Sequence, residues 1–226
     1  IKFPDKVSTG YRKFSEALNK ATCTAAQIAF NEIITNISFK RKKFPLRPIV
    51  LAGDDFTVIC RADIAIDFTK KFLLEFERNT CKEMEDLVKE FELDLNSMTA
   101  CAGIAFIKSS YPFHYGYSIA EELCAFAKKR SKAINNEKVP SSIMFHKVHA
   151  SFHDTYSATI QRELTAYGKE KIELYFGPYA IKNNIEGMPS IEYLQKCVEL
   201  LRTEDAPRSG LRKWLSELYH DQNAAL

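Results

Sequence analysis

Apolar positions recur at helical spacing from about Ser8 to Asn36, where Tyr11, Phe14, Leu18, Ile28 and Ile33 stand among alanines with no internal proline. That predicts a long helix, with Ser8 available to cap it. A basic run, Lys40 to Lys43, and two prolines, Pro45 and Pro48, end the helix and lead into two short runs rich in Ile and Val. These runs, Ile49–Leu51 and Thr57–Cys60, flank Ala52-Gly53-Asp54-Asp55, so a hairpin with an acidic tip is expected. Helical spacing returns at Ala62–Arg78 through Ile64, Phe68, Phe72, Leu73 and Phe76, and a shorter charged helix follows at Lys82–Phe91. Met98–Ile107 is apolar on both faces and reads as a central strand. Tyr111-Pro112 breaks it. Ser118–Lys132 is then helical, with Ile119, Leu123 and Phe126 toward the core and cations at its C-terminal end. Ser142–His149 is a further strand, after which Ile191–Arg202 and Leu211–Tyr219 read as helices and Leu174–Tyr179 as an aromatic-rich link.

This order predicts an α+β fold, an antiparallel sheet backed by helices, ferredoxin-like if one more strand precedes Ile1. The division expected is a main domain over 1–150 and a mainly helical C-terminal subdomain over 151–226. With 226 residues, 46% of them hydrophobic, the chain is long enough to build a packed core. A net charge of +3, from 32 basic and 29 acidic residues, argues against a dedicated nucleic-acid coat protein. No apolar run reaches the ~20 residues that cross a bilayer, and no signal peptide pattern opens the chain, so no membrane partner is expected and the cytoplasm is the expected location. The six cysteines stand singly rather than in zinc-type pairs and read as free, buried thiols. The chain starts with Ile1 rather than Met, so a segment upstream of it is expected.

Chemistry concentrates at the hairpin tip. Two ionised carboxylates are costly to bury unpaired, so Asp54 and Asp55 are either solvated turn residues or ligands of a divalent cation. Other candidates carry less. Lys40 to Lys43 read as a solvated basic cluster or as a contact to RNA or phosphate. His146, His149 and His153 have a superficial metal spacing, but 146 and 149 point to opposite faces of a strand. Trp214 and Tyr219 read as core or interface residues.

Taken in order, these motifs resemble the palm domain shared by nucleotide cyclases and polymerases, and among them the large palm subunit of type III CRISPR effector complexes. Ala52-Gly53-Asp54-Asp55 corresponds to that family's Gly-Gly-Asp-Asp hairpin with its first glycine replaced. Cys101-Ala102-Gly103-Ile104-Ala105 with Tyr111-Pro112 is similar to its central strand and the break after it. The helix from Ala120 to Lys128, the strand Ser141–His146, Pro178-Tyr179 and Arg208-Ser209-Gly210-Leu211-Arg212 extend the likeness over most of the chain.

The resemblance implies a nucleotidyltransferase that converts ATP into cyclic oligoadenylate-type signals in CRISPR-type or anti-phage defence. It implies Asp54 and Asp55 as metal ligands and catalytic acids for Mg²⁺ or Mn²⁺ in a two-metal site. Such ions lower the pKa of the attacking hydroxyl and stabilise the leaving phosphate. It also implies that Gly53 lets the backbone approach the nucleotide, that Ala52 lines the same turn under strain if its φ is positive, and that Lys128 meets triphosphate oxygens. Ser109, with Lys108 and Ser110 directly after the central strand, reads either as a further phosphate contact or as a polar loop without function. A second palm, from a homodimer mate or a partner subunit, and RNA within a ribonucleoprotein complex are the implied partners. Two alternatives stand beside this reading: a catalytically degenerate palm that binds nucleotide or acts as a scaffold, and a diguanylate-cyclase-like enzyme using GTP. The family's third metal-binding acid lies on a strand not visible in this chain; the nearest candidate by position, Asp5, follows Pro4.

Overall fold

The computed structural model describes residues 3–36, 44–92, 97–149, 155–167 and 171–220. It is α+β and divides into two compact units, Ile1–Cys101 and Ala102–Leu226. No described helix is long and apolar enough to cross a membrane.

The first unit is built on two long helices, α1 (Phe3–Asn36) and α2 (Ala65–Glu83), with a short α3 (Glu85–Phe91) after them. Ala21, Ala25 and Ala29 are spaced four apart and fully buried, forming a strip of α1 without bulk that lets α2 come close. Leu18 and Ala25 meet Phe76 and Met84 in one cluster. Ion pairs fix the antiparallel register: Lys20 with Glu83 at 2.7 Å, and Lys71 with Glu32 at 2.6 Å. Lys71 also meets the buried Glu75 at 3.1 Å, and these two carboxylates, Glu32 foremost, hold the Lys71 ammonium above its ordinary pKa. The helix begins before Ser8, which lies inside it and caps nothing, and Asp5 is in its first turns rather than in a strand. Lys40 to Lys43 and His153 lie outside the described residues.

Strands β1 (Leu46–Ala52) and β2 (Asp55–Cys60) form the expected hairpin, a two-stranded antiparallel sheet. Leu46, Phe56, Val58 and Cys60 pack on Ala29, Phe30, Ile33, Phe68 and Phe72. The ring of Phe56 lies 4.7 Å from that of Phe72 and 6.0 Å from that of Phe68. The opposite face stays open, with Val50 and Ile59 exposed. Six strand residues span about 20 Å, close to the 21 Å or so that 14 helical residues rise, so the hairpin runs along α1 from Ile33 toward Asn19.

The second unit holds β3 (Cys101–Phe106, its first residue at the boundary), α4 (Phe113–Ile134) and β4 (Ser142–Lys147). They are followed by α5 (Tyr156–Glu163), the small hairpin β5 (Thr165–Tyr167) and β6 (Lys171–Glu173), β7 (Tyr179–Ala180), α6 (Ile191–Leu200) and α7 (Arg208–His220). The sheet order is β3-β4-β7, so among the described residues β3 is an edge, and all its residues are half-buried. The centrality expected of Met98–Ile107 is not seen among the described residues, where β3 stands at the end of the order and one of its faces is covered closely by α4. Gly103 makes that closeness possible: a Cβ there would stand 2.0 Å from the Ala120 carbonyl oxygen and 2.5 Å from the Cys124 nitrogen. Behind α4, the hydroxyls of Ser131 and Ser142 share a fully buried hydrogen bond of 2.8 Å. Helix α4 starts five residues before the expected Ser118, with Pro112 as its N-cap in extended conformation. The C-terminal part carries short strands as well as helices; β7 pairs with β4, an addition that two residues of sequence do not announce. None of the six cysteines forms a disulfide, but they are half-buried rather than buried, and Cys81 is exposed.

Candidate functional site: the acidic turn

Ala52 and Asp55 close the hairpin as a cross-strand pair, leaving Gly53 and Asp54 as a two-residue loop. Gly53 has a φ of +62° and Asp54 is not in the left-handed region, the sign pattern of a type II′ turn, which asks for glycine at its first loop position. A Cβ on Gly53 would meet no protein atom within 4 Å, so within the chain the glycine serves backbone conformation rather than space. Ala52 ends β1 in ordinary strand conformation, so its methyl group is carried without the strain that a positive φ would impose.

The loop lifts Asp54 to the tip, while strand alternation sends Asp55 to the face opposite Phe56. Both are exposed, and among the described residues neither carboxylate enters a hydrogen bond or an ion pair. The backbone of the turn is held instead: the Gly53 N–H donates to the Asn19 side-chain carbonyl, 3.1 Å away on α1. Composition and motif did not single out Asn19. The available signal was modest, an amide residue of poor helix propensity in the exposed middle of a helix. At the foot of the hairpin, the Arg61 N–H donates to the Pro45 carbonyl at 2.8 Å, and the Arg61 guanidinium pairs with Asp63. That pairing holds the Asp63 carboxyl below its usual range. Burial, helped by Asp63, pushes the Cys60 thiol up to about 11, so this cysteine remains protonated at neutral pH.

A two-metal centre needs carboxylates that bridge both ions. Asp54 and Asp55 fit as the hairpin's share of such a donor set. Among the described residues no third His, Cys, Asp or Glu joins them in a metal-binding group.

The other predicted site residues belong to the second unit. Ser109, with Lys108 and Ser110, is exposed in the turn between β3 and α4. Lys128 is exposed in the third quarter of α4, and among the described residues it has no ion pair. At 1.5 Å per residue it lies about 22 Å along the axis from Phe113, so Ser109 and Lys128 are not brought together. Its neighbour Arg130 is committed elsewhere: the guanidinium donates to the Tyr175 hydroxyl at 2.8 Å and lies over the rings of Phe126 and Tyr175. The Tyr175 hydroxyl in turn donates to Glu173 at 2.7 Å. His146 is half-buried beside the Tyr156 ring, 5.7 Å away, and forms no described metal group with His149. Trp214 on α7 is partly exposed.

Comparison with known proteins adds no relative: no family model matches the chain and no curated protein matches it.

Proposed function

We propose that this chain is a ferredoxin-like, cyclase-type palm, related to the large palm subunit of type III CRISPR effector complexes, and that it joins nucleoside triphosphates into cyclic oligonucleotides, with ATP as substrate. The observation that carries the reading is the turn itself. A type II′ loop with glycine at its strained position raises two adjacent carboxylates clear of the protein, without an ion pair to quench them, and a helix side chain ties the loop down. The Asn19 contact is the part that an ordinary two-residue turn does not need. Asp54 and Asp55 would hold Mg²⁺ or Mn²⁺, and bound metal would supply charge stabilisation at the triphosphate. Gly53 supplies the positive φ of the turn, Ala52 carries its methyl without strain, and Lys128, of the second unit, is by itself an exposed cation suited to phosphate oxygens. Ser109 is the weaker phosphate candidate, since one triphosphate cannot reach both ends of α4.

The third acid is proposed to come from a strand paired to the open edge of the hairpin or from a second palm, in a homodimer or a partner subunit, with RNA as a further partner of that assembly. A second reading is favoured by one observation: among the described residues no third metal-binding side chain joins Asp54 and Asp55. On it the chain is a degenerate palm that binds nucleotide or serves as a scaffold.

Incubating the chain with each nucleoside triphosphate and Mg²⁺ or Mn²⁺, followed by mass spectrometry, tests the first reading. The expected result is pyrophosphate release with cyclic product from ATP, lost in an Asp54→Ala, Asp55→Ala double variant. Equal activity in that variant, or no nucleotide consumed, refutes it. Metal-dependent binding of a non-hydrolysable ATP analogue without turnover is the outcome the second reading expects.

A further inference from the structure

We propose that the end of the second unit at which α4 begins binds single-stranded nucleic acid, stacking bases on Phe113 and Tyr117 and meeting phosphates with Lys108 and Lys147. The inference stands on this unit alone and does not depend on the metal-binding reading.

The topology gathers these residues at one end. The Val148 N–H donates to the Phe106 carbonyl at 2.9 Å, so β3 and β4 finish side by side, as strands joined through a crossover helix do. Helix α4 starts from the same end, after a turn in which the Tyr111 N–H donates to the Lys108 carbonyl at 3.0 Å. The Phe113 and Tyr117 rings are neighbours one helical turn apart, their centroids separated by 6.1 Å, and they are 46% and 36% exposed. Lys108 with Ser109 and Ser110 in the turn, and Lys147 with His149 at the end of β4, are exposed as well. Among the described residues neither lysine enters an ion pair.

Charge and shape together point to the occupant. The sequence has no Asp or Glu between Asp94 and Glu121, nor between Glu137 and Asp154, the two stretches that contain these lysines. Folding does not account for the rings. The buried side of α4 is carried by Gly116, Ile119, Leu123 and Ala127, and Phe and Tyr are poorer helix residues than alanine or leucine. A single exposed apolar side chain is ordinary, whereas two adjacent rings beside unpaired cations are a matched set. A strand of nucleic acid uses both parts, because its bases offer flat apolar faces and its phosphates offer negative charge. An acidic peptide would use the lysines and leave the rings idle. A duplex hides its base faces within the stack, so the rings select the single strand. The Ser109 and Ser110 hydroxyls supply neutral donors for phosphate oxygens. Stacking accepts every base, so little sequence preference is expected.

The test uses the intact chain and a fluorescein-labelled oligouridine of about twelve nucleotides, with a hairpin duplex and an acidic peptide of equal charge as competitors. Binding is expected to weaken as salt rises and to resist both competitors. Phe113→Leu with Tyr117→Leu keeps apolar bulk, and is expected to weaken binding about tenfold. Lys108→Ala with Lys147→Ala is expected to weaken binding and to reduce the salt slope by about two, one for each phosphate contact. Lys196→Ala, exposed on α6, leaves the affinity unchanged. Photocrosslinking of the wild-type chain to a thiouridine-bearing oligonucleotide, which no folding defect can confuse, is expected to give adducts within residues 108–117. No binding by the wild-type chain, affinity unchanged in both double variants, or adducts confined to other segments overturns the proposal. Displacement by the duplex or the peptide as effective as by unlabelled oligouridine also overturns it, because charge alone then accounts for the binding.

Discussion

At the hairpin tip, two adjacent small residues carry opposite demands. Gly53 sits at φ +62° with open space around it, so replacing it by alanine introduces a left-handed L-residue and little else. The expected cost is about 1–2 kcal/mol. That should appear as a melting temperature lower by about 2–8 °C, using the sensitivity of a chain of this size, and asparagine at the same site should recover part of the loss. Ala52 behaves differently. It lies in ordinary extended conformation at the end of β1, so restoring a glycine there relieves no strain. Ala52→Gly is expected to leave nucleotide and Mn²⁺ binding unchanged, and to lower stability by about 0.5–1 kcal/mol through backbone entropy. Thermal denaturation of the two variants, run side by side, checks both statements. The sequence made the need for a turn legible, because Gly-Asp between Ile- and Val-rich runs has few other uses. It did not reveal which residue pays for the conformation, since φ is fixed by the closing pair and not by composition.

Among the elements, helix periodicity was the most readable signal. Phe68, Leu73 and Phe76 were marked as a core face, and all three are buried on α2. Boundaries were less readable: α1 and α4 each begin about five residues before the expected start, because prolines stand in or just before their first turns rather than ending them. The strand at Cys101–Phe106 shows why apolarity on both faces misleads. Its composition reflects the close approach of α4, centred on Gly103; among the described residues the strand stands at the end of its sheet. Gly103→Ala puts a methyl group 2.0 Å from the Ala120 carbonyl oxygen, against backbone that cannot swing aside as a side chain would. Helix and strand must separate, and the expected loss is about 3 kcal/mol, measured by chemical denaturation of the variant. A loss under about 1 kcal/mol would mean that the helix–strand contact is looser than the geometry states. Gly53→Ala is the useful contrast, because there the penalty comes from φ with no collision at all.

For the molecule as a whole, His146 is expected to shape the upper end of the acid side of the stability profile. His146 lies half-buried beside the Tyr156 ring, and burial lowers its pKa, opposed by the Glu163 charge and reinforced by His149. Its folded-state pKa is thus below the unfolded value, so the folded chain resists taking up the proton that the unfolded chain accepts. Stability is fully present above about pH 6.5, the unfolded value, and is lost as pH falls through the folded pKa. Two exposed carboxyl pairs add to the slope further down. Asp63 beside Arg61 and Glu173 beside Lys171 and Tyr175 both have lowered pKa values, and they give up their contribution only below about pH 4. The histidine's window opens higher, at about pH 6.5, so its onset is testable apart from the carboxyl pairs. Melting temperature should begin to fall as the pH drops below about 6.5 in the wild-type chain, and this first part of the slope should flatten in His146→Gln, while the decline below about pH 4 remains. A slope unchanged in the variant just below about pH 6.5 would show that the imidazole is as hydrated in the folded chain as in the unfolded one.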